Sequence, residues 1–124
     1  MIKVSQSSIS KFEIESVKKV LKHQFLGMGP EVKKFEDLLK KFFNRNVCCF
    51  NSGTAALQIA LQSCGIGKGD EVLVPCITYV ATYQAVSATG AKPILCDINT
   101  KSLDISLEDA KRTLTNTTKP TIPV

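Results

Sequence analysis

The pattern of hydrophobic and polar positions predicts two amphipathic helices at the start of the chain. Ser10-Lys11-Phe12-Glu13 fits a capping box, and apolar residues follow it at helical spacing until about residues 23–24. A loop is predicted over residues 26–30, where Pro30 suits the first turn of a second helix. The second helix is predicted to end near Asn44, with an apolar stripe made of Val32, Phe35, Leu38, Leu39, Phe42 and Phe43.

From residue 47 onward, short apolar strands alternate with helices. Strands are predicted at residues 47–50, 71–74 and 93–97, with a last one beginning at 121–124. Helices are predicted at residues 55–64 and 79–88, and from Ser106 onward. The first of these is apolar on most sides, so we expect it to be buried. This alternation predicts right-handed βαβ units and a mainly parallel sheet, which is the α/β class.

Length and composition are typical of a globular domain or part of one. The chain has 124 residues, of which 44% are hydrophobic and 22% are charged, and this composition excludes a disordered chain. No run approaches the 18 or more apolar residues of a membrane helix, and the first residues lack the apolar core of a signal peptide. We therefore expect a cytoplasmic protein without a membrane partner.

The basic surplus changes this expectation little. Sixteen Lys and Arg residues against 11 acidic ones give a net charge of +5, which favours anionic partners. However, more than half of the lysines fall on the two predicted amphipathic helices, beside acidic residues, as on a solvated helix face. Only two arginines occur, and basic and aromatic residues do not alternate, so a nucleic-acid surface is not expected.

The five cysteines do not form a metal-binding pattern. There is no C-x-x-C spacing, and His23 is the single histidine, so we expect no metal site and no catalytic cysteine with a histidine base. Most of them stand in or beside apolar runs, which predicts reduced thiols packed in the core. They are Cys48, Cys49, Cys64, Cys76 and Cys96.

The strongest chemical motif is Phe50-Asn51-Ser52-Gly53-Thr54-Ala55-Ala56-Leu57, in which a predicted strand turns into a helix. The free N–H groups and positive dipole of such a helix start bind anions, phosphate above all. Gly53 allows close approach of a ligand, and Ser52 and Thr54 add hydroxyl donors. The residues leave open a simpler role, in which Ser52 or Thr54 only caps the helix. The motif is not a Walker A loop, because the required Lys and Ser/Thr do not follow.

A second motif, Pro75-Cys76-Ile77-Thr78-Tyr79-Val80-Ala81-Thr82, follows the next predicted strand. Open α/β sheets place their ligands at this carboxyl end. Tyr79 can stack there on a flat ring, although ordinary packing of Tyr79 is an open alternative. A phosphate site and an aromatic platform on one sheet edge suit a phosphorylated planar cofactor.

Taken in order, these motifs resemble the N-terminal part of the DegT/DnrJ/EryC1/StrS sugar aminotransferases, which are fold type I enzymes dependent on pyridoxal 5'-phosphate (PLP). The resemblance begins at Leu26-Gly27-Met28-Gly29-Pro30 and includes both motifs above. It also covers the run from Gly65 to Val72, then Gly90-Ala91, Asp97-Ile98 and the run from Thr118 to Val124. The implied fold is the first portion of a fold type I large domain, with a mainly parallel sheet and flanking helices.

The resemblance assigns roles to individual residues. It implies that Gly53, Thr54 and Ala55 hold the cofactor phosphate, that Ser52 shapes the turn, and that Tyr79 lies against the pyridine ring. Gly27, Met28 and Gly29 are implied to form a substrate-binding loop at the mouth of the active site. Asp97 is not taken as the partner of the pyridinium nitrogen, since in the family pattern that carboxylate comes later in the chain.

The resemblance also implies the organisation and activity of the complete protein. Residues 1–30 would form an N-terminal helix and active-site loop, and residues 31–124 a partial PLP-binding domain. The complete enzyme would transfer an amino group, from glutamate as donor, to a keto sugar nucleotide, and it would work as a homodimer. The Schiff-base lysine would lie beyond Val124, so this chain alone has no catalytic residue and is expected to be inactive. A truncated product that at most binds phosphate or a partner subunit is the alternative, and an unrelated α/β phosphate-binding module is a weaker one.

An incomplete sheet has a consequence for folding. In fold type I enzymes, the strand predicted at residues 47–50 pairs with later sequence, and unpaired buried backbone groups cost about 1–3 kcal/mol each. We therefore expect the 124 residues by themselves to fold poorly or to aggregate.

Overall fold

The computed structural model describes residues 5–119, and the chain divides into two compact units, Met1–Cys49 and Phe50–Val124. Within the described residues, no helix combines the length and the apolar character needed to cross a membrane.

The first unit contains the two predicted amphipathic helices, α1 (Lys11–Lys22) and α2 (Pro30–Phe43). The capping box is present: the Ser10 hydroxyl accepts the Phe12 N–H at 3.1 Å, and the Glu13 carboxylate accepts the Ser10 N–H at 2.6 Å. Pro30 occupies the first turn of α2, and Asn44 is the C-cap of this helix, in a left-handed conformation with φ of 50°. Both predicted helices and their ends are confirmed.

Neither α1 nor α2 buries a residue. Their charged faces are exposed, as expected, and carry the ion pairs Lys18–Glu15 and Lys33–Asp37. Their apolar stripes are exposed as well: the side chain of Phe12 is 78% accessible and that of Phe42 is 81% accessible. Within the stripes, Val20, Val32 and Leu39 are half-buried, and no residue of either stripe is fully buried.

The second unit is an α/β arrangement with a parallel sheet, which confirms the predicted class. Its elements are α3 (Gly53–Ser63), β1 (Glu71–Pro75), α4 (Val80–Ala88), β2 (Lys92–Cys96), α5 (Leu107–Thr113) and β3 (Thr118–Lys119). The strand order is β2-β1-β3, and β1 pairs in parallel with both neighbours. The strand predicted at residues 121–124 lies outside the described residues.

The prediction of a buried strand at residues 47–50 is wrong. The segment has no regular secondary structure, and both Cys48 and Phe50 are exposed. The N–H of Cys49 donates instead to the Glu36 side chain at 2.8 Å. A strand needs a partner for its backbone groups, and the sheet described within residues 5–119 consists of β2, β1 and β3 alone.

The core of the second unit lies between the sheet and the pair α3 and α4. It consists of Leu61, Ile66, Val72, Val74, Ala85, Val86 and Ala91. Only Leu61 of α3 is buried, so the expectation of a fully buried α3 is wrong. The reason is that α3 is covered on the side that faces the sheet and α4, while residues such as Ile59 remain exposed.

α3 and α4 run side by side in the same direction, antiparallel to the strands. The loop that leaves α3 meets the end of α4: a Cβ placed on Gly90 would lie 3.5 Å from the backbone nitrogen of Lys68. Gly90 has a φ of 87°, which L-amino acids with a side chain rarely adopt. Because the two helices end together at the amino edge of β1 and β2, both begin at the carboxyl edge.

The five cysteines are all free thiols, but the expectation that they pack in the core is wrong for most of them. Cys96 is buried and Cys49 is half-buried, and burial raises the pKa of the Cys96 thiol. The other three are exposed because they stand in the irregular segment, at the end of α3 and just after β1. These are Cys48, Cys64 and Cys76.

Candidate functional site

The start of α3 presents two unpartnered backbone donors. Ser52 is the N-cap in an extended conformation, and its hydroxyl accepts the Ala55 N–H at 3.2 Å. Its carbonyl accepts the Ala56 N–H at 3.1 Å. Within the described residues, the N–H groups of Gly53 and Thr54 have no acceptor. Ser52 therefore does cap the helix, as the simpler interpretation held, but the cap leaves two donors for an anion.

The space around these donors is open. Ser52 and Gly53 are exposed, while Thr54 and Ala55 are half-buried. A Cβ placed on Gly53 would meet no heavy atom within 4 Å. An anionic group can therefore approach the backbone of Gly53 directly. These properties fit the phosphate of PLP, which needs several N–H and hydroxyl donors at one accessible point.

Tyr79 stands at the other candidate position, in the loop between β1 and α4. It occupies the N-cap position of α4, and its side chain makes no capping hydrogen bond. The side chain is 78% accessible, so Tyr79 is not held by ordinary packing within the described chain. Its ring is available for stacking on a planar ligand.

The topology places these two positions on one edge of the sheet. α3 and α4 both begin where β1 ends, so the 52–55 turn and Tyr79 lie at the carboxyl edge, where open α/β sheets bind ligands. The structure thus brings Ser52, Gly53, Thr54, Ala55 and Tyr79 to the same edge of the second unit.

The predicted substrate loop lies in the first unit and is described there alone. Gly27 and Gly29 line an open cleft of about 560 Å³ together with Phe25 and Pro30. Met28 is exposed. Gly29 is the N-cap of α2, and a Cβ at this position would collide with the ring of Phe25. A larger residue at position 29 would therefore force the exposed ring of Phe25 to move.

Asp97 lies at the end of β2 on the same carboxyl edge as Tyr79. Its carboxylate accepts the Ile98 N–H at 2.8 Å and lies 3.8 Å from the Cys76 sulfur. Its own N–H donates to the Asp109 carboxylate at 2.7 Å. These bonds connect the end of β2 to α5. Asp97 therefore has a structural role, and it is not one of the predicted cofactor ligands.

The sequence motifs assign no role to Tyr83 and Thr82, which also lie at this edge. The Tyr83 hydroxyl donates to the Pro75 carbonyl at 2.9 Å, and the hydroxyls of Thr82 and Thr78 lie 3.2 Å apart. The available signal was the position of Tyr83, one helical turn after Tyr79, which turns it towards the strand end that supports the loop.

The sequence matches a known protein family. Residues 7–124 match the family model of the DegT/DnrJ/EryC1/StrS aminotransferases. Curated relatives include the dTDP-4-dehydro-2,3,6-trideoxy-D-glucose 4-aminotransferase of Saccharopolyspora spinosa, which is 33% identical over 96% of this chain and 32% of that protein. Another is the UDP-2-acetamido-2-deoxy-3-oxo-D-glucuronate aminotransferase of Pseudomonas aeruginosa, 41% identical over 87% of this chain and 30% of that protein.

Solved structures give the same result. The sugar aminotransferase candidate Spr1654 of Streptococcus pneumoniae, in its PMP form, superposes with a TM-score of 0.90 at 32% identity. The match covers 98% of this chain and 31% of that one. The chain therefore spans about a third of the length of the curated relatives and solved structures it matches.

Proposed function

The chain belongs to the DegT/DnrJ/EryC1/StrS aminotransferase family, and from this premise we propose that it is the N-terminal part of a PLP-dependent sugar aminotransferase. The proposed reaction transfers an amino group, with glutamate as donor, to a keto group of a nucleotide-linked sugar. The names of the relatives support a nucleotide sugar, since the Saccharopolyspora and Pseudomonas proteins are named for dTDP- and UDP-linked sugars.

The observation that carries the proposal is the open start of α3. Gly53 and Thr54 offer backbone N–H donors to the cofactor phosphate, the Thr54 hydroxyl adds another, and Ala55 completes the first turn. Ser52 keeps the turn in shape by accepting the Ala55 N–H. These charge-assisted bonds would hold the cofactor in place. When bound, PLP supplies an electron sink and carries the amino group between donor and acceptor.

Tyr79 is proposed to orient the cofactor ring. Its exposed ring stands at the carboxyl edge shared with the start of α3, so a planar group held there by its phosphate can lie against it. Stacking of this kind contributes about 0.5–1.5 kcal/mol beyond the burial of apolar area. Tyr79 would thereby fix the plane of the ring while the helix start fixes its phosphate.

The remaining parts of the proposal concern the complete protein. We assign residues 1–30 to an N-terminal helix and active-site loop, in which Gly27, Met28 and Gly29 contact the substrate, and residues 31–124 to the PLP-binding domain. The complete enzyme is proposed to be a cytoplasmic homodimer. No lysine among these 124 residues stands in a sequence context that matches the Schiff-base lysine of the family. We therefore assign no catalytic residue here and propose that the 124 residues alone are inactive.

The test of this function is PLP binding by the protein at its full length. We expect saturable binding, seen in the absorbance of the bound cofactor, and weaker binding by the Tyr79→Ala variant than by Tyr79→Phe, which retains the ring. Phe12→Ala is a matched control, because Phe12 is 78% accessible like Tyr79 but lies on α1. Binding that is unchanged in Tyr79→Ala would contradict the assigned role of Tyr79.

A second experiment separates the intact enzyme from the 124-residue chain. Borohydride reduction in the presence of PLP traps a lysine-bound cofactor as a stable pyridoxyl adduct. We expect one such site in the full-length protein and none in residues 1–124. A single-site adduct with turnover in the 124-residue chain would overturn the proposal that it is inactive.

A further inference from the structure

The loop that carries Tyr79 is tied to α4 at both of its ends. At its start, the Tyr83 hydroxyl donates to the Pro75 carbonyl at 2.9 Å. At its end, the hydroxyls of Thr78 and Thr82 are 3.2 Å apart, and the Thr82 N–H donates to the Tyr79 carbonyl at 3.0 Å. The exposed ring of Tyr79 is therefore positioned through the backbone of its loop.

The bond from Tyr83 meets a need of the Pro75 carbonyl. Along a strand in a parallel sheet, successive residues direct their backbone groups to opposite neighbours. Glu71 directs its N–H to Thr117 on the β3 side, and Cys76 directs its N–H to Cys96 on the β2 side. Pro75 comes four positions after Glu71, an even offset, so its carbonyl points to the same side as the Glu71 N–H, the β3 side.

On that side, the pairing that the structure describes ends at Val72 and Lys119. No strand within residues 5–119 lies opposite Pro75, which is itself buried. A buried carbonyl without a partner is costly, and among the described residues the Tyr83 phenol is the donor to the Pro75 carbonyl. Burial, together with the nearby Cys76, raises the pKa of Tyr83, so the phenol stays protonated and able to donate at neutral pH.

We propose that Tyr83 is a positioning residue for the cofactor ring. By donating a hydrogen bond to the Pro75 carbonyl, Tyr83 fixes the point where β1 turns into the Tyr79 loop. The position of the Tyr79 ring is fixed as a result. Thr82 supplies the second tie, through Thr78. Neither residue is assigned a contact with the cofactor. The inference rests on the proposed PLP-binding function, since it concerns the orientation of the ring that stacks on PLP.

The experiment compares PLP binding by full-length wild-type protein and the Tyr83→Phe variant, which keeps the ring and removes only the hydroxyl. The dissociation constant of PLP is expected to rise by roughly three- to tenfold, the size of effect that loss of one hydrogen bond produces. The circular dichroism of the absorption band of the bound cofactor is expected to change as well, because the cofactor ring would lie against a displaced Tyr79.

A double-mutant cycle tests whether Tyr83 acts through Tyr79. In a Tyr79→Ala background, Tyr83→Phe is expected to cause no further loss of PLP affinity. Thr89→Val is the matched control, because Thr89 bonds to the Val86 carbonyl at the opposite end of the same helix. It should lower thermal stability while leaving PLP affinity and the cofactor dichroism unchanged.

The possible outcomes separate this inference from the function on which it rests. If the wild-type protein fails to bind PLP, both are overturned. If the wild-type protein binds PLP and the Tyr83→Phe variant binds it with the same affinity and dichroism, only the role of Tyr83 is overturned. The same holds if the Tyr83→Phe change lowers PLP affinity equally in the presence and in the absence of Tyr79. Should Tyr83→Phe fail to fold, Thr82→Val decides: weakened binding supports the positioning role, and unchanged binding overturns it.

Discussion

The carboxylate of Asp109 accepts the backbone N–H of Asp97 across 2.7 Å, so the first turn of α5 is fastened to the end of β2. Asp109 also pairs with Arg112 one turn later, and the Ser106 hydroxyl accepts the Asp109 N–H. This one carboxylate therefore connects a helix start to the sheet edge at which the proposed cofactor site lies.

Stability is expected to depend on the charge of Asp109. The hydrogen bond from the Asp97 N–H, and then Arg112, hold the pKa of Asp109 below its ordinary value of 3.8. The folded state therefore favours the ionised form, and the stabilisation is present above pH 3.8 and lost as the pH falls through the lowered folded-state pKa. Melting temperatures of wild type and Asp109→Asn should differ most at neutral pH and converge under acid. Asp104→Asn is the control, and a constant difference at all pH values would contradict the assignment.

Removing the cap of α3 is expected to affect both stability and cofactor binding. Ser52→Ala deprives the Ala55 N–H of its acceptor, which should cost about 1 kcal/mol of unfolding free energy and weaken PLP binding by loosening the turn. Ser106→Ala is a matched control, since the Ser106 hydroxyl caps α5 in the same way. It should cost similar stability and leave PLP affinity unchanged. Equal losses of PLP affinity in both variants would argue against a phosphate site at α3.

Gly53→Ala is expected to separate folding from binding. A Cβ at this position meets no heavy atom within 4 Å, so the fold should tolerate it, and unfolding free energy should stay equal or rise by up to about 1 kcal/mol. The same methyl group would stand in the open approach to the Gly53 and Thr54 donors and should weaken PLP binding by about tenfold or more, the effect of losing one charge-assisted hydrogen bond. The control is Gly67→Ala, where a Cβ makes an ordinary 3.7 Å contact with the Thr89 carbonyl. Wild-type affinity in Gly53→Ala would show that the phosphate binds elsewhere.

The 124 residues expressed alone are expected to self-associate. α1 and α2 expose their apolar stripes, including Phe12 and Phe42, and large exposed apolar patches drive association. Sedimentation velocity should show concentration-dependent oligomers, and a dye that fluoresces on apolar surfaces should bind to them. A monomer with cooperative thermal unfolding would contradict this expectation.

Features that depend on local sequence could be predicted, and features that depend on pairing could not. The capping box at Ser10, the proline start of α2 and the Ser106 cap are local signals, and each helix begins where they indicate. The strand predicted at residues 47–50 is absent. Apolar residues indicate that a segment can pair as a strand, but they do not show whether a partner strand is present.

The same distinction applies to the candidate site. The helix start at Gly53 and the loop at Tyr79 are recognisable from their order along the chain. The role of Tyr83 was not, since it depends on which way the Pro75 carbonyl points, and that direction follows from the register of β1 with both of its neighbours. The cysteine prediction was wrong for a related reason, because burial depends on which elements cover each position.

The parallel course of α3 and α4 has an electrostatic consequence for the carboxyl edge. Each helix carries roughly half a positive charge at its start, and here the two starts share one edge. α1, α2 and α5 have acidic side chains in their first turns, which offset this charge, whereas α3 and α4 have none. The starts of α3 and α4 therefore keep dipole charges that no acidic side chain of their own first turns offsets, and these charges attract an anion before any individual hydrogen bond has formed.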